Sequence, residues 1–169
     1  FDDHKRFSDL IRAMPAVLAQ HPQARLMIVG DGPDRSMLEK LCVTLGVGNS
    51  VIFAGYPSDV RTFYPLMDIF ALASAHEAFG LVLVEAMFAE VPIIGTEVGG
   101  IPFVLDSGRC GALVPPLAPL SLSRTLSDLI APPSLRAEYA RLGLARAREE
   151  FSAERYCREI DELYTSLIR

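Results

Sequence analysis

The sequence predicts an α/β fold: a Rossmann-like, doubly wound parallel sheet with helices on both faces, followed by a helical carboxyl-terminal tail. Three observations carry this reading. Short, nearly all-apolar runs (ARLMIV at 24–29, VIFA at 51–54, DIFALA at 68–73 and PIIG at 92–95) look like strands buried on both sides. Stretches of helical periodicity alternate with them. Several of the strands also run straight into glycines, as tight strand-to-helix turns at the edge of such a sheet require.

Taken in order, residues 5–20 place Phe7, Leu10, Ile11, Met14, Val17 and Leu18 on one helical face, with Pro15 expected to kink the helix or mark a restart. His21-Pro22 ends it. The strand at 24–29 enters Gly30-Asp31-Gly32-Pro33, and a helix over 33–45 stops at Gly46. The strand at 51–54 ends at Gly55, and Ser58 or Asp59 can cap a short helix through 66. The strand at 68–73 leads into SAHEAFGLVLVEAMFAEVPIIGTEVGG at 74–100. There a loop carries Glu77, a helix opens at Phe79 or Gly80 and ends near Glu90, and Glu85 sits on its second turn. A strand at 92–95 leaves through Gly99-Gly100. A helical turn over 101–105 and a strand at 112–114 follow, then helices over 120–130, 134–150 and 153–168, the last capped by Ser152. No linker or repeat divides the 169 residues, so one domain is expected.

Half the residues are hydrophobic, enough for a real core. A net charge of −5 argues against a general nucleic-acid binder, so an anionic ligand would need local positive charge. No apolar run approaches the roughly 20 residues of a membrane-spanning helix. Phe1-Asp2-Asp3-His4 is not a signal-peptide start, and the chain opens without Met inside a running pattern, which suggests a piece of a longer protein. Cys42, Cys110 and Cys157, like His4, His21 and His76, are scattered. They form neither a disulfide framework nor a metal-site spacing, so reduced thiols, a cytoplasmic location and no metal are expected.

In a strand–loop–helix unit the loop lies at the carboxyl edge of the sheet, where open α/β folds bind ligands, and the free N–H groups of the new helix favour an anion. Glu77 and Glu85 flank that place. Were both helical, eight residues would separate them by about 12 Å along the axis. That spacing is too long for a tight glycosidase pair unless the loop folds back, and suits two acceptors serving separate parts of one elongated ligand. The plainer reading makes Glu77 a helix-terminus charge and Glu85 a solvated residue. Glu85, however, lies between LVLV and Ala86-Met87, so it should be partly buried and need a partner. Gly30 and Gly32 form either a simple turn or a close approach to ligand. GxGxxG is absent because position 35 is Arg, and no P-loop sequence occurs. Gly99-Gly100 is either a turn or a backbone clamp for phosphate.

The succession LMIVGDGP, VIFAGYPSDV, DIFALASAHEAFGLVLVEAM, VPIIGTEVGGIPFVL and GALVPP resembles the retaining family-4 glycosyltransferases, specifically the carboxyl-terminal, donor-binding half of their GT-B architecture. The E-x7-E spacing from Glu77 to Glu85 is the family hallmark, and the helical end EEFSAERYCREIDELYTSLIR is similar to the family's tail. The resemblance implies a nucleoside-diphosphate sugar as ligand. Glu77 would meet donor-sugar hydroxyls and Glu85 the ribose hydroxyls. Backbone amides of Phe79, Gly80 and Leu81 would face the diphosphate or sugar, and Lys5 the diphosphate. Gly55 and Tyr56 would lie near the nucleobase, and Gly30, Gly32, Gly99 and Gly100 would complete the donor site. Departures are Ala78 where the family commonly has Gly, Glu90 where it has Gly, and Ala73 where it often has Pro. Ala78 is kept within the donor-binding set.

The implied reaction moves a sugar to an acceptor hydroxyl with retention and without a metal cofactor. The first strand of the domain, with its phosphate-binding arginine, and the acceptor-binding domain would lie upstream of residue 1, so this piece should bind donor without turning over. Polysaccharide or glycolipid synthesis, with peripheral placement at the inner face of the membrane, would fit the family. Alternatives are another GT-B enzyme, such as a sugar-nucleotide epimerase or a phosphorylase, or a non-catalytic nucleotide-sugar-binding module. The last helix, with Tyr156, Ile160, Leu163, Tyr164 and Leu167 on one face, is expected to expose apolar surface and to favour self-association.

Overall fold

A computed structural model describes the chain from residue 3 to residue 168; residues 1, 2 and 169 lie outside it. Five strands form: β1 (Leu26–Val29), β2 (Val51–Gly55), β3 (Phe70–Leu72), β4 (Ile93–Thr96) and β5 (Ala112–Val114). Every strand pair is parallel. β1 pairs with β2, Leu26 opposite Val51, while β4 lies between β3 and β5, with Phe70 opposite Ile93 and Ile94 opposite Ala112. The five strands therefore form two parallel groups, β1-β2 and β3-β4-β5.

Seven α-helices connect and cover them: α1 (Phe7–Gln20), α2 (Arg35–Thr44), α3 (Leu81–Phe88), α4 (Ile101–Val104), α5 (Pro119–Ile130), α6 (Pro133–Glu150) and α7 (Ala153–Leu167). Side chains alternate between the two faces of a strand, and the core follows that alternation. On one face Phe70, Leu72, Ile93 and Leu113 pack with Leu83 and Met87 of α3 and Ile101 and Val104 of α4. On the other, Ala71, Ala73, Ile94, Ala112 and Val114 pack with Leu10 and Ala13 of α1 and Leu122 and Leu129 of α5. All four residues of β4 are buried, so its unbroken apolar run has a direct cause: neither face meets water. Beneath β1 and β2, Ile28 and Val51 join Ile11 and Met14 of α1 with Leu38 and Cys42 of α2.

One local expectation is narrowed and one corrected. Of the kink or restart expected at Pro15, the restart is excluded: α1 runs through Pro15 as one continuous helix. An interior proline costs about 3 kcal/mol, but burying each large aliphatic side chain contributes about 1.5–3 kcal/mol, and Leu10, Ile11, Met14 and Val17 are buried on both sides of it. The segment expected to be one short helix to residue 66 is instead two 3-10 turns, Val60–Thr62 and Tyr64–Leu66. Asp59 does cap the first, accepting from the Arg61 N–H at 3.0 Å. Pro65 has no N–H to continue an i→i−4 ladder, so the chain settles into tighter i→i−3 bonds: Phe63 to Val60, Leu66 to Phe63, Met67 to Tyr64.

Buried Cys110 has its thiol pKa pushed up to about 11, chiefly by desolvation, and that of buried Cys42 rises for the same reason. Both behave as small core residues rather than reactive thiols. α7 has no buried residue, and its Tyr156, Leu163, Tyr164 and Leu167 are all exposed. Ser152 caps it as expected, accepting from the Arg155 N–H.

Glu90 follows the end of α3 with φ +58, the left-handed region. The Val91 N–H donates to the Ala86 carbonyl and the Glu90 N–H to the Met87 carbonyl, the two bonds of a Schellman cap. Gly46 fills the same seat after α2, at φ +68. The glutamate thus occupies a glycine position without a change of cap. Glu90→Gly is expected to raise unfolding free energy by about 0.5–1 kcal/mol, measured by urea denaturation.

Candidate donor-binding site

The site forms where the loops leaving β3 and β4 meet. Thr96, at the end of β4, donates its buried hydroxyl to the Ser74 carbonyl at 2.6 Å, tying the two strand ends together. One step on, the loop at 77–79 passes directly over Gly99 and Gly100. The Gly100 N–H donates to the Glu77 carbonyl at 3.2 Å. A Cβ on Gly99 would lie 1.7 Å from that same oxygen, and one on Gly100 2.5 Å from the Ala78 carbonyl. The paired glycines are therefore there because backbone crosses backbone. The Gly100 amide, read from sequence as part of a phosphate clamp, is already donated within the protein.

The Glu77 side chain is largely shielded, and its Oε2 accepts from Lys5 Nζ at 2.6 Å, with Ser74 Oγ at 3.5 Å. Lys5 reaches it because the turn Asp3–Lys5 is pinned to the loop: the Ala75 N–H donates to the His4 carbonyl at 2.8 Å, and the His4 and His76 rings meet edge-on at 5.7 Å. Two residues far apart in sequence, Lys5 and Glu77, are thus one polar unit.

Gly80 precedes α3 at φ +88, and its N-cap position carries no side chain that could satisfy the first-turn N–H groups. Leu81 is exposed beside it. Phe79 turns inward against Phe151 at the α6–α7 junction (5.6 Å between centroids), and Arg146 stacks on Phe151 and Phe103 while donating to the Val104 and Phe103 carbonyls. Ala78 is exposed. The loop is held at Phe79 and open at Ala78 and Leu81.

Glu85, on the second turn of α3, is half-buried and does have the partner its apolar neighbours called for: the Tyr64 hydroxyl donates to Oε2 at 2.7 Å. Tyr64 is 2% exposed, and burial first, then its bond to Glu85, hold its phenol pKa well above the ordinary tyrosine value. Nothing local in the sequence marks Tyr64, which sits 21 residues from its partner. The two glutamates hold different partners, Lys5 and Tyr64.

At the ends of β1 and β2, Gly30 and Gly55 come together: the Gly30 N–H donates to the Gly55 carbonyl at 2.7 Å. Gly55 has φ +72 with open space where a Cβ would be, so backbone conformation explains that glycine. The Gly32 N–H is taken by Asp31 Oδ1 at 2.8 Å. Tyr56, 86% exposed, follows Gly55. Among the described residues no group of three or more His, Cys, Asp or Glu could hold a metal.

Residues 1–144 match the model of the glycosyl transferases group 1 family. This chain belongs to that family. A group 1 glycosyl transferase reading agrees with its relatives. It is 30% identical over 165 residues to the N-acetyl-alpha-D-glucosaminyl L-malate synthase of Bacillus anthracis, covering 98% of this chain and 43% of that protein. It is 32% identical over 154 residues to the lipopolysaccharide core biosynthesis glycosyltransferase LpsE of Rhizobium meliloti, 91% of this chain and 44% of that one. The chain spans less than half the length of these curated relatives. In three dimensions it is similar to Anabaena HepE in complex with UDP and glucose (TM-score 0.89, 27% identity, 98% of this chain and 46% of that one). It is also similar to the C-terminal domain of a group 1 glycosyl transferase, LpcC, from Francisella tularensis (TM-score 0.82, 25% identity, 90% and 83%). The fold thus matches that of a group 1 carboxyl-terminal domain, as in LpcC.

Gly99→Ala places a Cβ inside the Glu77 carbonyl at a positive φ, a clash that no flexible side chain can relieve. It is expected to destabilise the protein by about 3 kcal/mol or more, a fall in Tm of about 6–12 °C, read by thermal unfolding.

Proposed function

We propose that this chain is the donor-binding domain of a retaining glycosyltransferase that takes a hexosyl group from a nucleoside-diphosphate sugar. The observation that carries the reading is the juxtaposition of Lys5 with Glu77 at the mouth of α3, with Glu85 one turn further along. UDP, glucose and UDP-glucose in the HepE complexes support the ligand class. The diphosphate sits at the α3 N-terminus, against the amides around Gly80 and Leu81. As the glycosidic bond breaks, those amides and Lys5 take up the charge that develops on the leaving diphosphate. Lys5 exchanges the Glu77 carboxylate for diphosphate oxygens, which leaves Glu77 to accept from the sugar hydroxyls. Glu85 accepts from the ribose, and the Gly55–Tyr56 turn lies by the base. The Gly30-Gly32 and Gly99-Gly100 loops shape the cleft, chiefly by holding its backbone.

The division of the strands into two groups supports a missing central strand. β1 and β3 each end a group with an unpaired edge, and α1 packs against strands of both. We place a strand from upstream of residue 1 between them, and the acceptor-binding domain before it. The exposed apolar face of α7 fits a tail that packs on that other half, or on a second copy of this chain where the other half is absent.

A nucleoside diphosphate at 100 times its Kd is expected to stabilise the chain by about 2.7 kcal/mol, shifting Tm by several degrees, and Glu85→Ala to shrink the shift at the same nucleotide concentration. UDP, GDP and ADP are tried in turn by thermal unfolding; no shift with any of them removes the donor-site reading. Sedimentation velocity is expected to show association growing with concentration and reversed by Leu163→Lys. A monomer at every concentration would exclude the α7 contact.

A further inference from the structure

We propose that Tyr64 is a positioning residue for nucleotide recognition: its buried hydroxyl sets the rotation of the Glu85 carboxylate so that both hydroxyls of a ribose diol can be accepted. The inference rests on the assignment of Glu85 to the ribose made above.

Tyr64 is buried in the same core cluster as Leu72, Leu83 and Met87, and its ring meets Phe70 at 5.8 Å between centroids. Its backbone is set by the 3-10 turn that Pro65 enforces, with the Met67 N–H on the Tyr64 carbonyl. The hydroxyl therefore has one place to be, 2.7 Å from Glu85 Oε2. The Val82 carbonyl stands at 3.4 Å, so the single proton goes to the carboxylate, as the stronger, charge-assisted bond.

Glu85 needs such a guide. A glutamate has three rotatable bonds, and the torsion that turns its carboxylate is soft. A vicinal diol presents two O–H donors at fixed spacing, so affinity depends on the carboxylate plane being set before the ligand arrives. A carboxylate offers about four lone-pair positions. With one of them on Oε2 committed to Tyr64, the two on Oε1 and the outer one on Oε2 remain, enough for the two donors of a diol. Arg61, from the same β2–β3 connection, acts on Glu85 electrostatically, but its guanidinium is bonded to Asp59 at 2.8 and 2.9 Å and does not orient the carboxylate.

A merely structural Tyr64 would lose stability when altered and leave ribose selectivity untouched, and that difference is the test. Affinities of the full chain and of Tyr64→Phe are measured by calorimetry for UDP, GDP and ADP and for their 2′,3′-dideoxy forms. Phe fills the same apolar space, and unchanged near-UV circular dichroism checks that it does. Tyr64→Phe is expected to weaken the ribonucleotide about tenfold and the dideoxy form less than about twofold, and to have no further effect in a Glu85→Ala background. Glu85→Ala alone should also erase the preference for the ribonucleotide. If Glu85→Ala erases it and Tyr64→Phe keeps it in full, Tyr64 only packs and the proposal falls while the donor site stands. If the unmutated chain binds both forms equally, or none of the three nucleotides, the ribose assignment falls and takes the proposal with it.

Discussion

The candidate site depends on one close contact: the backbone at 77–79 crossing the backbone at Gly99–Gly100. A Cβ on either glycine would overlap a carbonyl oxygen, so no other residue type lets the loops approach this closely. Thr96 and the Gly100 amide then hold the crossing with hydrogen bonds. The Glu77 end of the cleft is hung on it. The loop sets Glu77 within reach of Lys5, and the same loop delivers the chain into Gly80 at the angle from which α3 starts.

Around that crossing, support comes from outside the sheet. Phe79 leans on Phe151, which sits under the Arg146 guanidinium, so the α6–α7 junction braces the loop from one side. Tyr64 braces Glu85 from the other. Each brace sets an aromatic ring against a charged group: partly buried Phe151 lies under Arg146, whose guanidinium is bonded to backbone carbonyls, and buried Tyr64 donates to Glu85, whose other oxygen positions stay open. The two carboxylates are thereby independent: one answers to a cation on the amino-terminal turn, the other to a phenol from the β2–β3 connection.

Much of this was legible in the sequence. The strands sit within two residues of where their apolar runs place them; burial on both faces explains the run of β4, whereas β2, also read as buried on both sides, leaves Ile52 exposed. The long helices at Pro119–Ile130 and Pro133–Glu150 were equally plain from their proline breaks. Glu85 was marked as needing a partner by the apolar residues around it. What failed was where local signals met tertiary packing. Pro15 reads in isolation as a kink or a restart, yet the buried side chains on both flanks hold one helix through it. Tyr64 reads as one more apolar residue, because its hydroxyl matters only once α3 is laid beside it.

The order of residue types along the chain determined the class of fold, the family, and which residues are chemical candidates, since hydrophobic period, glycine placement and motif spacing are local properties of a polymer. Which partner each candidate holds was decided only in three dimensions. Lys5 on Glu77, Tyr64 on Glu85 and Gly99 beneath the Glu77 carbonyl join residues 72, 21 and 22 positions apart. No pattern in sequence encodes such pairs, because the distance between them is set by how helices and strands pack and not by the chain that links them.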